Sequence, residues 1–339
     1  MKRAALIPTF IAAVLECCLI QVTAAQTTQP LPIKGPTSAC RFSRDGSEIF
    51  AARNDAIVVL SARDGSQLRV IRPGLAKVTS LDQSPDARFL LIGGGVPGVS
   101  GATLLVEQSS GRTLATADVF KDIVTSVAFA PDGRTIAVAS ADRTAHILSP
   151  KDDPITLTAV AQLEGHAAAV LCVVFSRDGK VLVTGSADRS IKVWDLPDGK
   201  LRRTLSNHTG AVFSLAARID SADDLPFTCA SAGDDRTVRV WQPDIGRMVR
   251  IVRGHQGPVL AVAYAPDGTL FSAGAEGIIR MIHADSDAVL QAWKASDDWI
   301  YALAASPDGA SLAAADWTGA IKLWRRDKDR ATLQWRYPS

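Results

Sequence analysis

One short phrase returns along this 339-residue chain at nearly constant distance. It reads Phe42-Ser-Arg-Asp-Gly46, Gln83-Ser-Pro-Asp86, Phe129-Ala-Pro-Asp-Gly133, Phe175-Ser-Arg-Asp-Gly179, Tyr264-Ala-Pro-Asp-Gly268 and Ala305-Ser-Pro-Asp-Gly309, with a degenerate seventh copy at Arg218-Ile-Asp220. From Asp45 through Asp86, Asp132, Asp178, Asp220 and Asp267 to Asp308, the intervals are 41, 46, 46, 42, 47 and 41 residues. Self-similarity at this period marks an array of supersecondary units that bury their apolar faces on one another. Arrays of this kind present surfaces to partners, and their architecture by itself implies no chemistry.

The repeat runs from about residue 31 to the end, so a single domain over 31–339 is expected. A net charge of +2 supplies no bulk attraction to nucleic acid or to a membrane surface, and neither is expected as a partner. The first residues read differently. Met1-Lys2-Arg3 is basic, Ala4 to Val22 is largely apolar, and Thr23-Ala24-Ala25 offers small residues for cleavage. These are the three parts of a secretory signal peptide, assigned to 1–25. Glu16 and Pro8 interrupt the apolar run and favour removal over retention as an anchor. A secreted or periplasmic mature chain without a membrane span follows. It would keep Cys40, Cys172 and Cys229, each within an expected strand and in a different repeat, where a small buried hydrophobe is the plain role. Asn207-His208-Thr209 matches a glycosylation sequon, a pattern short enough to recur by chance.

The fourth repeat shows the unit. After Gly165-His166, the run Ala169–Phe175 reads as a buried strand, Ser176-Arg-Asp-Gly179 as a turn, and Val181–Gly185 as a second strand. Ala187-Asp188-Arg189 turns again, Ser190–Asp195 alternates as a half-exposed third strand, and Lys200–Leu205 forms a polar edge. Gly165-His166, Gly185-Ser-Ala-Asp188 and Val193-Trp-Asp195 resemble the WD40 repeat. The resemblance implies an all-β fold, a seven-bladed β-propeller of four-stranded antiparallel blades. It also implies a structural tetrad of His166, Ser186, Asp188 and Trp194 that staples loops rather than cleaving bonds. Related structural positions are His208, Asp235 and Trp241 in the fifth repeat, with Gly233 in the place of Ser186. His255 stands in the sixth, where Ile282 or His283 takes the Trp position. Trp324 stands in the seventh, where Thr318 replaces the Asp. The third keeps Ser140 and Asp142, and the first two have neither Gly-His nor Trp.

Three insertions break the metre. Gly93–Gly101 lacks Gly-Lys-Ser/Thr and reads as a flexible turn, not a phosphate loop. Pro150–Pro154 is expected to link repeats three and four, and Asp220–Asp224 to be a solvated acidic turn without the spacing of a calcium loop. The outer strand of the last blade has two candidates, Arg330–Trp335 and Pro30–Lys34.

Two features are expected on one face, beside the channel mouth. Arg143, Arg189 and Arg236 follow the Asp of the same turn in three consecutive repeats and would suit carboxylate or phosphate groups. Trp299, Tyr301 and Trp317 converge in the last blade, and aromatics and Arg are enriched at binding hot spots. No complete catalytic set and no metal-ligand spacing is present, and no cofactor is expected. The reading is a non-enzymatic exported scaffold for a protein or peptide, either a monomer or a subunit of a hetero-complex. The alternative is a lactonase- or quinoprotein-like propeller enzyme with its site at the channel.

Overall fold

The computed structural model describes residues 35–151, 155–219 and 226–338. The signal peptide, the Pro30–Lys34 strand and the Asp220–Asp224 turn lie outside the described residues.

Seven antiparallel sheets follow in chain order, each a four-stranded meander whose strands pair in sequence order. They are blade 1 (37–71), blade 2 (78–120), blade 3 (124–163), blade 4 (170–205), blade 5 (212–252), blade 6 (259–294) and blade 7 (300–337). The inner strand of each blade packs on that of the next, and the inner strand of blade 7 packs on that of blade 1, so the seven-bladed β-propeller closes. The fourth blade has its strands at Val170–Phe175, Val181–Ser186, Ile191–Asp195 and Lys200–Leu205, within a residue or so of expectation.

The repeated phrase forms the turn from inner to second strand. In blade 4, Ser176 Oγ donates to Asp178 at 2.6 Å, and Gly179 adopts φ +71°, which an Asp-Gly turn needs. Between blades the apolar faces meet in seven clusters, one at each junction. The core is therefore a set of wedges and not a central mass.

Every inner strand carries a β-bulge at its second residue: Ser38, Thr79, Thr125, Leu171, Phe213, Leu260 and Tyr301. A bulge breaks the ladder locally and re-aims one side chain. In the first three blades that side chain is a hydroxyl, and it crosses to the next blade. Ser38 Oγ donates to the Val78 carbonyl at 2.8 Å, Thr79 Oγ1 to Val124 at 2.5 Å and Thr125 Oγ1 to Val170 at 2.5 Å. Each outer strand is bulged as well, which disrupts an exposed edge that would otherwise pair with another chain.

Three expectations need correction or resolution. Gly93–Gly101 is not a flexible turn. Its residues continue the ladder, with Gly95 opposite Gly101 and Val96 opposite Ser100, and Gly98 N donates to Asp122 Oδ1 at 2.7 Å. Pro150 and Lys151 do not link two blades, because they end the third strand of blade 3, Ala145–Lys151. Finally, Arg330–Tyr337 is the outer strand of blade 7.

That strand also reaches blade 1. Trp335 Nε1 donates to the Ala62 carbonyl at 3.0 Å, and Tyr337 Oη donates to Gln67 Oε1 at 2.7 Å. Arg53 of blade 1 is fully buried at the same seam, 5.7 Å from the Tyr337 ring centroid. Gly319 (φ +90°) leaves it room, since a Cβ there would lie 2.0 Å from Arg53 Nη2 and 2.4 Å from the Gly35 carbonyl. Gly319→Ala is expected to cost about 2 kcal/mol or more in urea unfolding. Gly74→Ala, at φ +86° but in open space, isolates the backbone effect and should cost about 1 kcal/mol. Equal losses at the two sites would show that the seam is not tightly packed.

Candidate functional site

Antiparallel pairing places the starts of the inner strands and the turns between second and third strands on one face, here the upper face. Val170, which begins the inner strand of blade 4, lies opposite Ser186, which ends its second strand. The phrase turns lie on the lower face.

Under the upper face runs a layer of buried histidines. In blade 4, His166 Nδ1 meets Asp188 Oδ2 at 2.8 Å and Nε2 meets Thr184 Oγ1 at 2.8 Å, while Trp194 Nε1 donates to the same Thr184 Oγ1 at 2.9 Å. The hydroxyl joining imidazole to indole is therefore Thr184 and not Ser186. Ser186 closes the turn instead, donating to the Ala168 carbonyl at 3.1 Å and accepting Asp188 N at 3.0 Å. Strand alternation puts residues 184 and 186 on one side of the strand, and only the register decides which of them meets the indole.

Blade 5 repeats the arrangement. His208 contacts Asp235 at 2.8 Å and Ser231 at 2.7 Å, and Trp241 Nε1 donates to Ser231 at 2.8 Å. In blade 6, Glu276 takes the carboxylate role at 2.6 Å from His255 Nδ1, Ser272 takes the hydroxyl role at 2.9 Å, and Ile282 stands opposite Leu270 where blade 4 has Trp194. Arg280 braces the longer Glu276 and donates to the Gly254 carbonyl at 2.9 Å. Sequence reading missed Thr184, Ser231, Ser272 and Glu276.

The electrostatics follow from burial. The imidazole of His166 is held below its usual value by desolvation. Burial pushes Asp188 up, but hydrogen bonds from Ser190, His166 and backbone N–H groups outweigh it and bring the carboxyl down to about 2. Burial, aided by Arg280, lowers His255 to about 4. In all three blades both ring nitrogens are engaged by the carboxylate and the hydroxyl. These groups staple loop to turn, and the imidazoles and their hydroxyl partners are buried, the hydroxyls of blades 4 and 5 also accepting an indole N–H.

Blade 7 departs from this plan. Ser296 stands at the histidine position and donates to Asp316 Oδ2 at 2.6 Å, while Asp316 accepts from Thr318 at 2.6 Å. Above this shorter link the structure brings Trp299, Tyr301 and Trp317 together. Ring centroids are 6.2 Å apart from Trp299 to Tyr301 and 5.4 Å from Tyr301 to Trp317. Trp317 N donates to the Trp299 carbonyl at 2.9 Å, which ties the two loops. All three rings are half-buried, and burial together with Asp298 pushes the Tyr301 hydroxyl above its ordinary value. Trp324 is buried beneath the outer strand, with Trp293 at 6.1 Å.

Arg143, Arg189 and Arg236 occupy equivalent turns of blades 3, 4 and 5, all exposed. The extended hairpin of blade 2 carries exposed Val99 on the same face. Two cavities lie on the lower face, and sequence reading offered no signal for them. One of about 740 Å³, between blades 7 and 1, is lined by Asp45, Ser47, Ser61, Arg63 and Asp308. One of about 380 Å³, between blades 5 and 6, is lined by Arg218, Gln242, Arg250 and Asp285. Among the described residues no group of three or more His, Cys, Asp or Glu side chains is arranged to hold a metal ion, and no helix is long and apolar enough to cross a membrane. Cys40, Cys172 and Cys229 are free thiols, and burial pushes Cys40 up to about 12.

Two predictions follow from the buried layer. Thr184→Val orphans two buried ring nitrogens and should cost about 2–3 kcal/mol, against about 1 kcal/mol for Ser186→Ala. A reversed order in urea melts would return the hub to Ser186. Because His255 is neutral in the fold and titrates near 6.5 when unfolded, its contribution is whole above about pH 6.5 and is lost as pH falls toward about 4. His255→Asn should flatten part of that decline. An unchanged pH slope would show that His255 does not titrate across unfolding.

Comparison with known proteins gives a family and distant relatives. The model of the WD domain, G-beta repeat, matches residues 110–148, 157–195, 199–242, 246–283 and 288–325, together more than half of the chain. Each matched unit holds the outer strand of one blade and three strands of the next. The chain is 29% identical over 146 residues to the COMPASS component SWD3 of Saccharomyces cerevisiae, covering 41% of each chain. It is 29% identical over 151 residues to Minichromosome loss protein 1 of Schizosaccharomyces pombe, covering 42% of this chain and 17% of the relative. The matched region thus spans less than half of either relative.

Proposed function

The chain belongs to the WD40 family, and from that premise we propose that it is a non-enzymatic scaffold that holds a protein or peptide on its upper face. The observation that carries this reading is the cluster of Trp299, Tyr301 and Trp317. Three large rings are ordered by packing on one another and by the loop tie, yet each keeps exposed area. Rigid aromatic surface of this kind binds at low entropic cost. The yeast relative is named as a component of COMPASS, and a place as one subunit of a hetero-complex is the corresponding role here.

Burial of these histidines and of their hydroxyl partners argues against the hydrolytic alternative, because a general base and its nucleophile must be within reach of a substrate. The leader at 1–25 supports export, so the partner belongs to the secreted or periplasmic space. Amino-terminal sequencing of the mature chain should begin just after Ala24 or Ala25, and an intact Met1 would remove the export proposal.

The direct test is a native pull-down of the tagged mature chain beside Trp299→Ala/Trp317→Ala. Loss of a hot spot of about 2 kcal/mol corresponds to roughly 30-fold weaker retention. Circular dichroism should show the variant folded. A partner kept equally by both chains would move the site off this face, and no partner in either would end the scaffold reading.

A further inference from the structure

Among the cationic side chains near the upper face of blades 3 to 7, two groups stand out. One group is committed to the fold. Lys192 Nζ donates to Thr204 at 3.0 Å, and Arg239 reaches Asp235 at 3.2 Å and Thr237 at 3.1 Å. Arg280 braces Glu276, and Lys322 donates to the Ala295 carbonyl. The second group is Arg143, Arg189 and Arg236. Their guanidinium groups make no hydrogen bond or ion pair among the described residues, and all three are exposed.

Their backbone makes this more pointed. The three sit at φ +77°, +73° and +62°, the left-handed region that glycine enters freely and an L side chain does not. The same turn position is Gly277 in blade 6 and Gly319 in blade 7. Folding alone therefore favours glycine there. Three consecutive blades place arginine instead, and the fold makes no use of the charge.

We infer that Arg143, Arg189 and Arg236 form an arc that grips an acidic segment of a protein partner, each guanidinium taking one carboxylate. This deepens the scaffold reading and rests on it. The neighbouring acids leave the arginines available. Asp142 is held by Lys121 N at 3.0 Å and Thr144 Oγ1 at 2.6 Å, and Asp188 by Ala167 N at 2.9 Å and His166. Asp235 is held by Thr209 N at 3.1 Å and by His208. Blade 5 adds Asp234, whose carboxyl lies close enough to Arg236 to feel its charge. Arg236 is thereby the weakest of the three.

The chemistry favours a peptide over a nucleic acid. A phosphate backbone calls for a continuous basic track. Here each cation stands beside a fixed carboxylate, so the positive potential comes in separate spots, and the chain carries only +2 overall. Separate planar forks match carboxylates spaced along a peptide, each able to accept two N–H bonds.

The test uses the mature full chain and three fluorescein-labelled probes in anisotropy titrations: a Glu-rich decapeptide, its Gln counterpart and an oligo-dT of equal length. The Glu peptide should bind, weaken with added salt, and lose roughly ten-fold or more in R143G/R189G/R236G, as three exposed charge pairs allow. That variant should melt no lower than the parent, since glycine suits the backbone. Arg→Lys at the same sites should recover only part of the affinity if the fork geometry matters. The Trp299→Ala/Trp317→Ala chain should keep binding the Glu peptide, which separates this site from the aromatic one. The inference is overturned if the Glu peptide fails to bind, binds no better than the Gln peptide, or binds the Gly variant equally. It is also overturned if oligo-dT binds more tightly with the same arginine dependence. A natural partner lost with the tryptophans but kept by the Gly variant would sink the inference and leave the scaffold reading standing.

Discussion

A four-stranded blade has two apolar faces and covers neither of them by itself. The rest of this molecule follows from that constraint. Each face finds its cover on the next blade, which is why the apolar side chains gather into seven separate wedges. A linear stack would leave two bare ends needing polar caps, and a ring leaves none. At the junction of blades 7 and 1 the fit relies on small residues, with Ala302, Ala304, Ala313 and Ala315 set against Phe42, Ile49 and Leu60. The inner strands share no backbone ladder with one another. The hydroxyls at the bulges of blades 1 to 3 supply directional bonds where the sheets cannot.

The polar layer beneath the upper face solves a second problem. Loops that enter the inner strands and turns that leave the second strands would be loosely held at the rim of the ring. A buried imidazole bonded on both nitrogens pins one to the other in blades 4, 5 and 6. Blade 7 uses Ser296 and Asp316 instead, a shorter bridge that needs no large ring below the surface. Trp299, Tyr301 and Trp317 pack on one another in the same blade.

Much of this was legible in the chain, for identifiable reasons. The Asp-Gly turns announce themselves because few residue pairs accept that backbone, and strands between them follow from alternation. Period and turn together gave the blade count without any single copy being perfect. The bulges were invisible because they change which residues face each other and leave composition untouched. Thr184 was missed for a related reason, since two hydroxyls on one side of a strand differ only in register. Glu276 was hidden by its length, as a longer carboxylate matches the role only with Arg280 beside it. Asp316 escaped because it serves two positions before the one where an acid was sought. The aromatic cluster was readable because both loops hold a tryptophan at positions the repeat maps to one face.

The stagger between repeat and blade has a mechanical consequence. Six blade junctions are crossed by the chain itself, so pulling two neighbours apart there strains covalent backbone. Among the described residues, the junction of blades 7 and 1 has no chain connection and is held by side chains, among them Trp335, Tyr337 and Arg53. Tension applied near residues 37 and 337 would load that seam first, and once it parted each blade would expose the flank of the next. The ring would then come off blade by blade, like a coil unwinding from its free end.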